Sequence, residues 1–92
     1  MIHTSGAELM HIPVGWAVVE ERLMREFEFT DFNQAKQLVD ALSLHAETVN
    51  HHPEIHFGWG YVIVELFTHD EDKITDKDTS FATHVNSLIE EA

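Results

Sequence analysis

Three histidines and two acids in this 92-residue chain have types and spacing that suit proton transfer: Glu47, His51, His52, His69 and Asp78. An imidazole has an unperturbed pKa of about 6.5, so it can accept or release a proton near neutrality. A carboxylate beside it can fix its orientation or its charge. His51 and His52 are adjacent and are followed by Pro53. Proline disfavours helical geometry in the residue before it, so a helix arriving from the N-terminal side ends by His51 and His52 is extended. The pair therefore stands at a joint between a helix and a strand.

Other chemistries fit less well. With no cysteine in the chain there is no thiolate nucleophile and no disulfide framework, which agrees with a reducing, cytoplasmic setting. His52 and His56 have the i, i+4 spacing of a helical zinc pair, but Pro53 lies between them and breaks the helix that this spacing requires. On a strand His52, Glu54 and His56 would share a face, so a metal-binding protein stays open as a third reading, and the expectation is no metal. No serine lies in a recognisable nucleophile context. What remains is acid–base chemistry without a metal.

Composition narrows the partners. Apolar residues make up 43% and charged residues 24% of the chain, ordinary for a globular domain. A chain of this length buries only about 60 to 65% of its unfolded surface, so association with copies of itself would add stability. Five Lys and Arg stand against 17 Asp and Glu, a net charge of −12. Direct binding to nucleic acid or to an anionic membrane is disfavoured. No apolar run has membrane-spanning length, and a secretory leader is not expected.

The elements that must position these residues follow from periodicity. Residues 1–14 mix polar and apolar types around Gly6 and Pro13 and form an irregular lead-in, with His3 and His11 as loop residues; a single domain occupies 15–92. Leu23, Phe27 and Phe29 share a strand parity that Arg25 interrupts, which predicts a hairpin over about Ala17 to Thr30, turning near Glu20 to Arg22. Asp31 and Gln34 resemble an N-cap and its reciprocal partner. Phe32, Ala35, Val39, Leu42, Ala46 and Val49, widened by Leu38 and Ala41, then make the apolar stripe of a helix, with His45 at its edge. Glu47 lies on the last turn, four residues before His51, within reach of the pair. From Ile55 to Thr68 the chain is extended, broken by Gly58 and Gly60 around Trp59 as a hairpin or a bulge.

Val62, Val64 and Leu66 face one side of the second strand of that run and Tyr61, Ile63 and Phe67 the other. His69 follows its end, before a charged loop from Asp70 to Lys73. Thr75 and Asp78 have the form of a capping box, which starts a last helix at about Asp76. Its buried stripe is Phe81, Ala82, Val85, Leu88 and Ile89, and His84 is an outward or edge residue. The order ββαββα with two amphipathic helices predicts an α+β, two-layer domain: a four-stranded antiparallel sheet with both helices on one face. The opposite sheet face, with Tyr61, Ile63 and Phe67, is left for another copy or a ligand.

The ordered pattern Glu47, three residues, His51, one residue, Pro53, five residues, Trp59, nine residues, His69, eight residues, Asp78 resembles that of the pterin-4a-carbinolamine dehydratases. Gly15-Trp16, Leu23, Arg25, Phe27, Phe29, Asp31-Phe32 and Ala46-Glu47 extend the resemblance from about Gly15 to the C-terminus. The chain departs from the family pattern at Ile55, Phe57, Trp59 and Asp72-Lys73, but not at the three histidines. The resemblance implies a lyase that dehydrates 4a-hydroxytetrahydropterin to the quinonoid dihydropterin, in recycling of tetrahydrobiopterin. The pterin is then the substrate and no cofactor is consumed.

On that resemblance His51, His52 and His69 are the catalytic residues, with His51 and His69 transferring protons and His52 binding the pterin and assisting. Glu47, Pro53, Trp59 and Asp78 are placed at the substrate, the two acids orienting imidazoles or meeting the pterin's hydrogen-bonding edge and Trp59 bordering the ring. The family also implies a homo-oligomer, dimer or tetramer. Its members include proteins that stabilise a transcription factor's dimers or serve as assembly factors, so the alternative is a protein-binding module without catalysis.

Overall fold

A computed structural model describes residues 11–90 of the chain. The elements occur in the predicted order: β1 (Ala17–Val19), β2 (Arg22–Glu28), α1 (Phe32–Val49), β3 (Glu54–Gly58), β4 (Tyr61–Leu66) and α2 (Asp76–Glu90). The sheet is antiparallel throughout, in the order β1-β2-β4-β3. Both helices contribute to one core. Leu23 and Phe27 of β2, Val62, Val64 and Leu66 of β4, Ala35, Leu38, Leu42 and Ala46 of α1, and Phe81, Ala82 and Val85 of α2 are buried together. No helix among the described residues is long and apolar enough to cross a membrane.

Two turns set the sheet's geometry. Glu20 and Glu21 join β1 to β2 with φ of 50° and 66°, the positive-φ pair that a tight hairpin of type I′ requires and that Asn-Gly would supply more easily. Trp59 and Gly60 join β3 to β4, with Gly58 paired to Tyr61, so the two glycines mark a two-residue hairpin. Gly60 has φ +85°, and a Cβ there would lie 3.1 Å from the Phe29 carbonyl oxygen. That close approach is used: the Phe29 N–H donates to the Gly60 carbonyl at 2.8 Å, holding the exit of β2 against the hairpin tip.

Arg25 breaks the apolar parity of β2 because its side chain has polar work on the helix side. Its guanidinium donates to Asn86 Oδ1 at 2.6 Å and to the Val14 carbonyl at 3.1 Å, and stands 4.5 Å from the centroid of the Phe27 ring. Asn86 also accepts from the Trp16 indole at 2.9 Å and donates to the Val14 carbonyl at 2.9 Å. The end of the lead-in is thereby fastened to α2. His11 is exposed, as expected; His3 and the first ten residues lie outside the described residues.

The helix caps differ in detail from expectation. Asp31 accepts from the Gln34 N–H at 2.8 Å, but Gln34 returns its side-chain oxygen to the N–H and hydroxyl of Thr30, one residue earlier than a capping box would. The apolar stripe of α1 is shorter than predicted. Phe32 and Val49, at the two ends of this 18-residue helix, are 45% and 47% exposed. Phe32 instead leans on Phe57, ring centroids 5.4 Å apart.

His45 and His84 join the helices outside the core. Their rings stack at 3.7 Å between centroids with planes 13° apart, and Phe81 meets His45 edge-on at 4.8 Å. Burial, and secondarily the neighbouring His84, hold the His45 pKa below its ordinary value. The open sheet face carries Ile63 paired with Glu26 and His56, and Glu65 paired with Met24 and Glu54. Its apolar residues are thus set among acids rather than in one patch. Phe67 is covered by Arg22, whose guanidinium carbon is 5.1 Å from the ring centroid.

Gly60→Ala is expected to lower stability by about 1–2 kcal/mol, the cost of left-handed backbone for an L-residue, read from the urea midpoint at unchanged slope. The histidine stack gives a pH signature. The unfolded chain takes up a proton at His45 as pH falls through about 6.5, before the folded chain does, so stability declines from there until the lowered folded pKa is passed. His45→Gln is expected to flatten that part of the stability–pH curve.

Candidate active site

The joint at His51 and His52 is built by a left-handed cap. Asn50 ends α1 with φ 55° and ψ 45° and donates its N–H to the Ala46 carbonyl, which the His51 N–H also reaches at 3.2 Å. Asparagine is among the few side chains that tolerate this conformation. The reversal turns the chain off the helix axis, and Pro53 leads at once into β3. The two imidazoles consequently leave the joint toward different partners.

His51 turns inward. Its Nε2 lies 2.6 Å from Asp78 Oδ1, with 13% of the His51 side chain and 0% of the Asp78 side chain accessible. His52 stays outward and pairs through Nε2 with Glu47 Oε2, both largely exposed. Glu47 thus meets His52 rather than the residue one helical turn after it, because the cap at Asn50 swings His51 under the helix end. An exposed pair of this kind adds little to stability; its effect is to orient the ring.

Asp78 is held from three sides. Its Oδ2 accepts from the Thr68 hydroxyl at 2.7 Å and from the Thr75 N–H at 2.9 Å, while Oδ1 faces His51. The Thr75 contact is the reciprocal half of the predicted capping box, so one carboxylate caps α2 with one oxygen and holds an imidazole with the other. Thr68 lies two residues past β4. Its N–H and carbonyl pair with Lys73 at 3.1 and 3.3 Å, closing the loop that presents His69. The His69 ring also meets Phe67 edge-on at 5.2 Å.

His51, His52 and His69 line one cleft of about 220 Å³, with Asn50, Phe67, Thr68, Asp70 and Lys77. It shares Asn50, His51 and Lys77 with a neighbouring hollow of about 670 Å³ that runs past Ser80 to His45 and His84. His51 is therefore on the wall of both. A third hollow, of about 430 Å³, lies between Phe29, Leu38, Ala41, Leu88 and Ile89 and has no titratable side chain in its wall. Of the three, the first cleft is the one lined by His51, His52 and His69 together.

Of the seven residues singled out in the sequence, five come together here: Glu47, His51, His52, His69 and Asp78. Pro53 adjoins them. Trp59 does not: it is 73% exposed at the tip of the β3–β4 hairpin, and the five residues of β3 at about 3.3 Å each put it some 16 Å away along the strand. Thr68 and Thr75 were not singled out as site residues. The capping-box pattern, which linked Thr75 to Asp78, was the available sign of one; nothing in the local sequence marks the other. His56, the remaining partner in the metal reading, faces Glu65 at 3.6 Å on the open sheet face, and among the described residues no three His, Asp or Glu side chains are grouped as a metal site.

Comparison with known proteins agrees with this fold and pattern. The family profile described as pterin 4 alpha carbinolamine dehydratase matches residues 3–88. A protein of Rubrobacter xylanophilus, named as a candidate pterin-4-alpha-carbinolamine dehydratase, is 44% identical over 75 residues, 80% of this chain and 70% of its own. One of Thermosynechococcus vestitus, named likewise, is 39% identical over 82 residues, 89% of this chain and 85% of its own. The crystal structure of a transcriptional coactivator/pterin dehydratase from Brucella melitensis superimposes with a TM-score of 0.78 at 35% identity, covering 82% of both chains. A pterin dehydratase-like protein identified as a RuBisCO assembly factor of the alpha-carboxysome gives 0.68 at 28% identity, over 86% of this chain and 98% of its own. By the length and identity of these matches, together with the α+β architecture, the chain belongs to the pterin-4-alpha-carbinolamine dehydratase family.

Proposed function

We propose that this protein is an active dehydratase, converting a 4a-hydroxytetrahydropterin to the quinonoid dihydropterin and water. The observation that carries the reading is the grouping of His51, His52 and His69 on one cleft, two of them with a carboxylate partner. In the reaction the bond between C4a and its hydroxyl oxygen breaks, the oxygen takes a proton and leaves as water, and the N5–H proton departs while its electron pair forms the C4a–N5 double bond. One acid and one base are needed. Imidazoles poised near working pH serve both roles, and with a substrate that carries its own leaving group no cofactor is required.

His51 and His69 exchange these protons in this reading. His51 is fixed by a buried carboxylate and keeps its direction; His69 is exposed on a closed loop and re-equilibrates with solvent after each turnover. His52, oriented by Glu47, holds the pterin. The role of Asp78 is orientation, since its carboxylate has no accessible surface to offer a ligand. Pro53 sets the direction of His52. Trp59 could border a pterin bound in this cleft only as part of a second copy of the chain.

A protein-binding function without catalysis is the second reading, favoured by the likeness to the RuBisCO assembly factor. The two are separated by one assay, the rate of quinonoid dihydropterin formation. The wild-type protein is expected to accelerate it over buffer, and His51→Ala to lose about 10²–10⁴-fold; no acceleration by wild type sinks the enzymatic reading. His69→Ala is expected to lose turnover while its unfolding free energy stays within about 0.5 kcal/mol, as for exposed positions generally. Self-association, in a cytoplasmic dimer or tetramer, belongs to the same proposal, because one sheet face has no helix over it among the described residues. Sedimentation equilibrium is expected to return a multiple of 10.6 kDa, and a monomer at high concentration removes this part.

A further inference from the structure

Thr68 is 3% exposed, and its hydroxyl takes no proton from the reaction described above. Its hydrogen bonds nevertheless bear on His51 through Asp78. Thr68 Oγ1 lies 2.7 Å from Asp78 Oδ2 and 2.6 Å from Thr75 Oγ1. The Lys77 N–H donates to Thr75 Oγ1 at 3.2 Å, and the Thr75 N–H donates to Asp78 Oδ2 at 2.9 Å.

The protons in this cluster can be counted. An ionised carboxylate has none to give, and a hydroxyl has one. Thr68 must therefore spend its proton on Asp78, which forces Thr75 to donate to Thr68 and leaves Thr75 free to accept from Lys77. The chain runs one way, from the Lys77 N–H through two hydroxyls to the carboxylate. Both oxygens of Asp78 are then committed as acceptors, Oδ2 to two donors and Oδ1 to the His51 Nε2 at 2.6 Å. Nε2 must hold a proton, and it holds it whether the ring is neutral or charged. The lone pair of neutral His51 is on Nδ1.

We propose that Thr68, seconded by Thr75, is a positioning residue that locks His51 in its Nε2–H tautomer through Asp78, so that Nδ1 is the atom that trades protons with the pterin. The catalytic half of this proposal rests on the dehydratase reading, and the tautomer half stands without it. The opposite arrangement, a protonated Asp78 donating from Oδ1 to a bare Nε2, would leave Thr68 and Thr75 donating to a neutral carboxyl group, a weaker acceptor than a carboxylate. Two donors aimed at Oδ2 therefore favour the ionised carboxylate, and with it the Nε2–H ring.

The test is the nitrogen-15 spectrum of His51 in the intact protein, alongside kcat, KM and the pH–rate profile. Wild type is expected to show a protonated Nε2 and an unprotonated Nδ1 at pH above the ring's titration. Thr68→Val is expected to give averaged shifts from mixed tautomers, to lose on the order of 10²-fold in kcat with KM unchanged, and to displace the basic limb of the pH profile; Thr68→Ser is expected to restore all three. A wild-type ring protonated on Nδ1 overturns the proposal, and that measurement needs no variant to fold. So does a folded Thr68→Val protein whose tautomer and kcat match wild type. An inactive wild type with the predicted tautomer upholds the lock and overturns its catalytic half together with the dehydratase reading, so the two failures are distinguishable.

Discussion

One buried carboxylate ties the working parts of this molecule together. Asp78 stands in the first turn of α2, accepts from the residue that caps that helix, accepts from Thr68 just past β4, and holds the imidazole that follows α1. A carboxylate without solvent is tolerated only when donors replace the water it has lost. Three separate segments supply those donors. Their relative positions are consequently set by a polar constraint laid over the hydrophobic one, since Val62, Val64, Leu66, Leu42 and Phe81 would pack with some freedom of slide but the three hydrogen bonds would not.

This arrangement puts rigidity and access in different places. His51 is almost enclosed and has one bound nitrogen. His52 and His69 are open to solvent, one on the outer side of the joint and one on a four-residue loop closed by Thr68 and Lys73. A reaction that removes a proton at one point and delivers another nearby is served by such a division: an enclosed group keeps its geometry, and exposed groups recover their protons from water. His51 also stands on the wall of a wider neighbouring hollow.

Much of the fold was legible because each element carried its own punctuation. The change from strand parity to helical spacing at Asp31, the capping box at Thr75, and the glycines around Trp59 each mark a boundary by a local physical rule, and the structure has boundaries there. The misses have local explanations too. Phe32 and Val49 continue the apolar spacing of α1 to its two ends, where they stay half-exposed, and periodicity does not report how deeply each turn of a helix is covered. The β1–β2 turn falls where the hairpin is expected to turn, although it uses two glutamates at positive φ in place of the Asn-Gly or Asp-Gly that marks such turns. Arg25 reads as an interruption of the β2 pattern until Asn86 is seen opposite it on a helix 61 residues later.

The linear order of Glu47, His51, His52, His69 and Asp78, and the placing of each at a helix end, a strand end or a helix start, were determined by the sequence by itself, because helix caps and proline act on immediate neighbours. Which acid holds which imidazole was decided only by the tertiary structure. Chain spacing brings Glu47 within a turn of His51, yet the left-handed residue Asn50 reverses the chain and gives Glu47 to His52. Asp78, 27 residues further on, reaches His51 instead. The depth of Asp78, the hydroxyl pair behind it and the distance of Trp59 belong to the same class: they depend on where a helix, a strand and a hairpin tip meet in space, and that is fixed by packing between elements rather than by the spacing within any one of them.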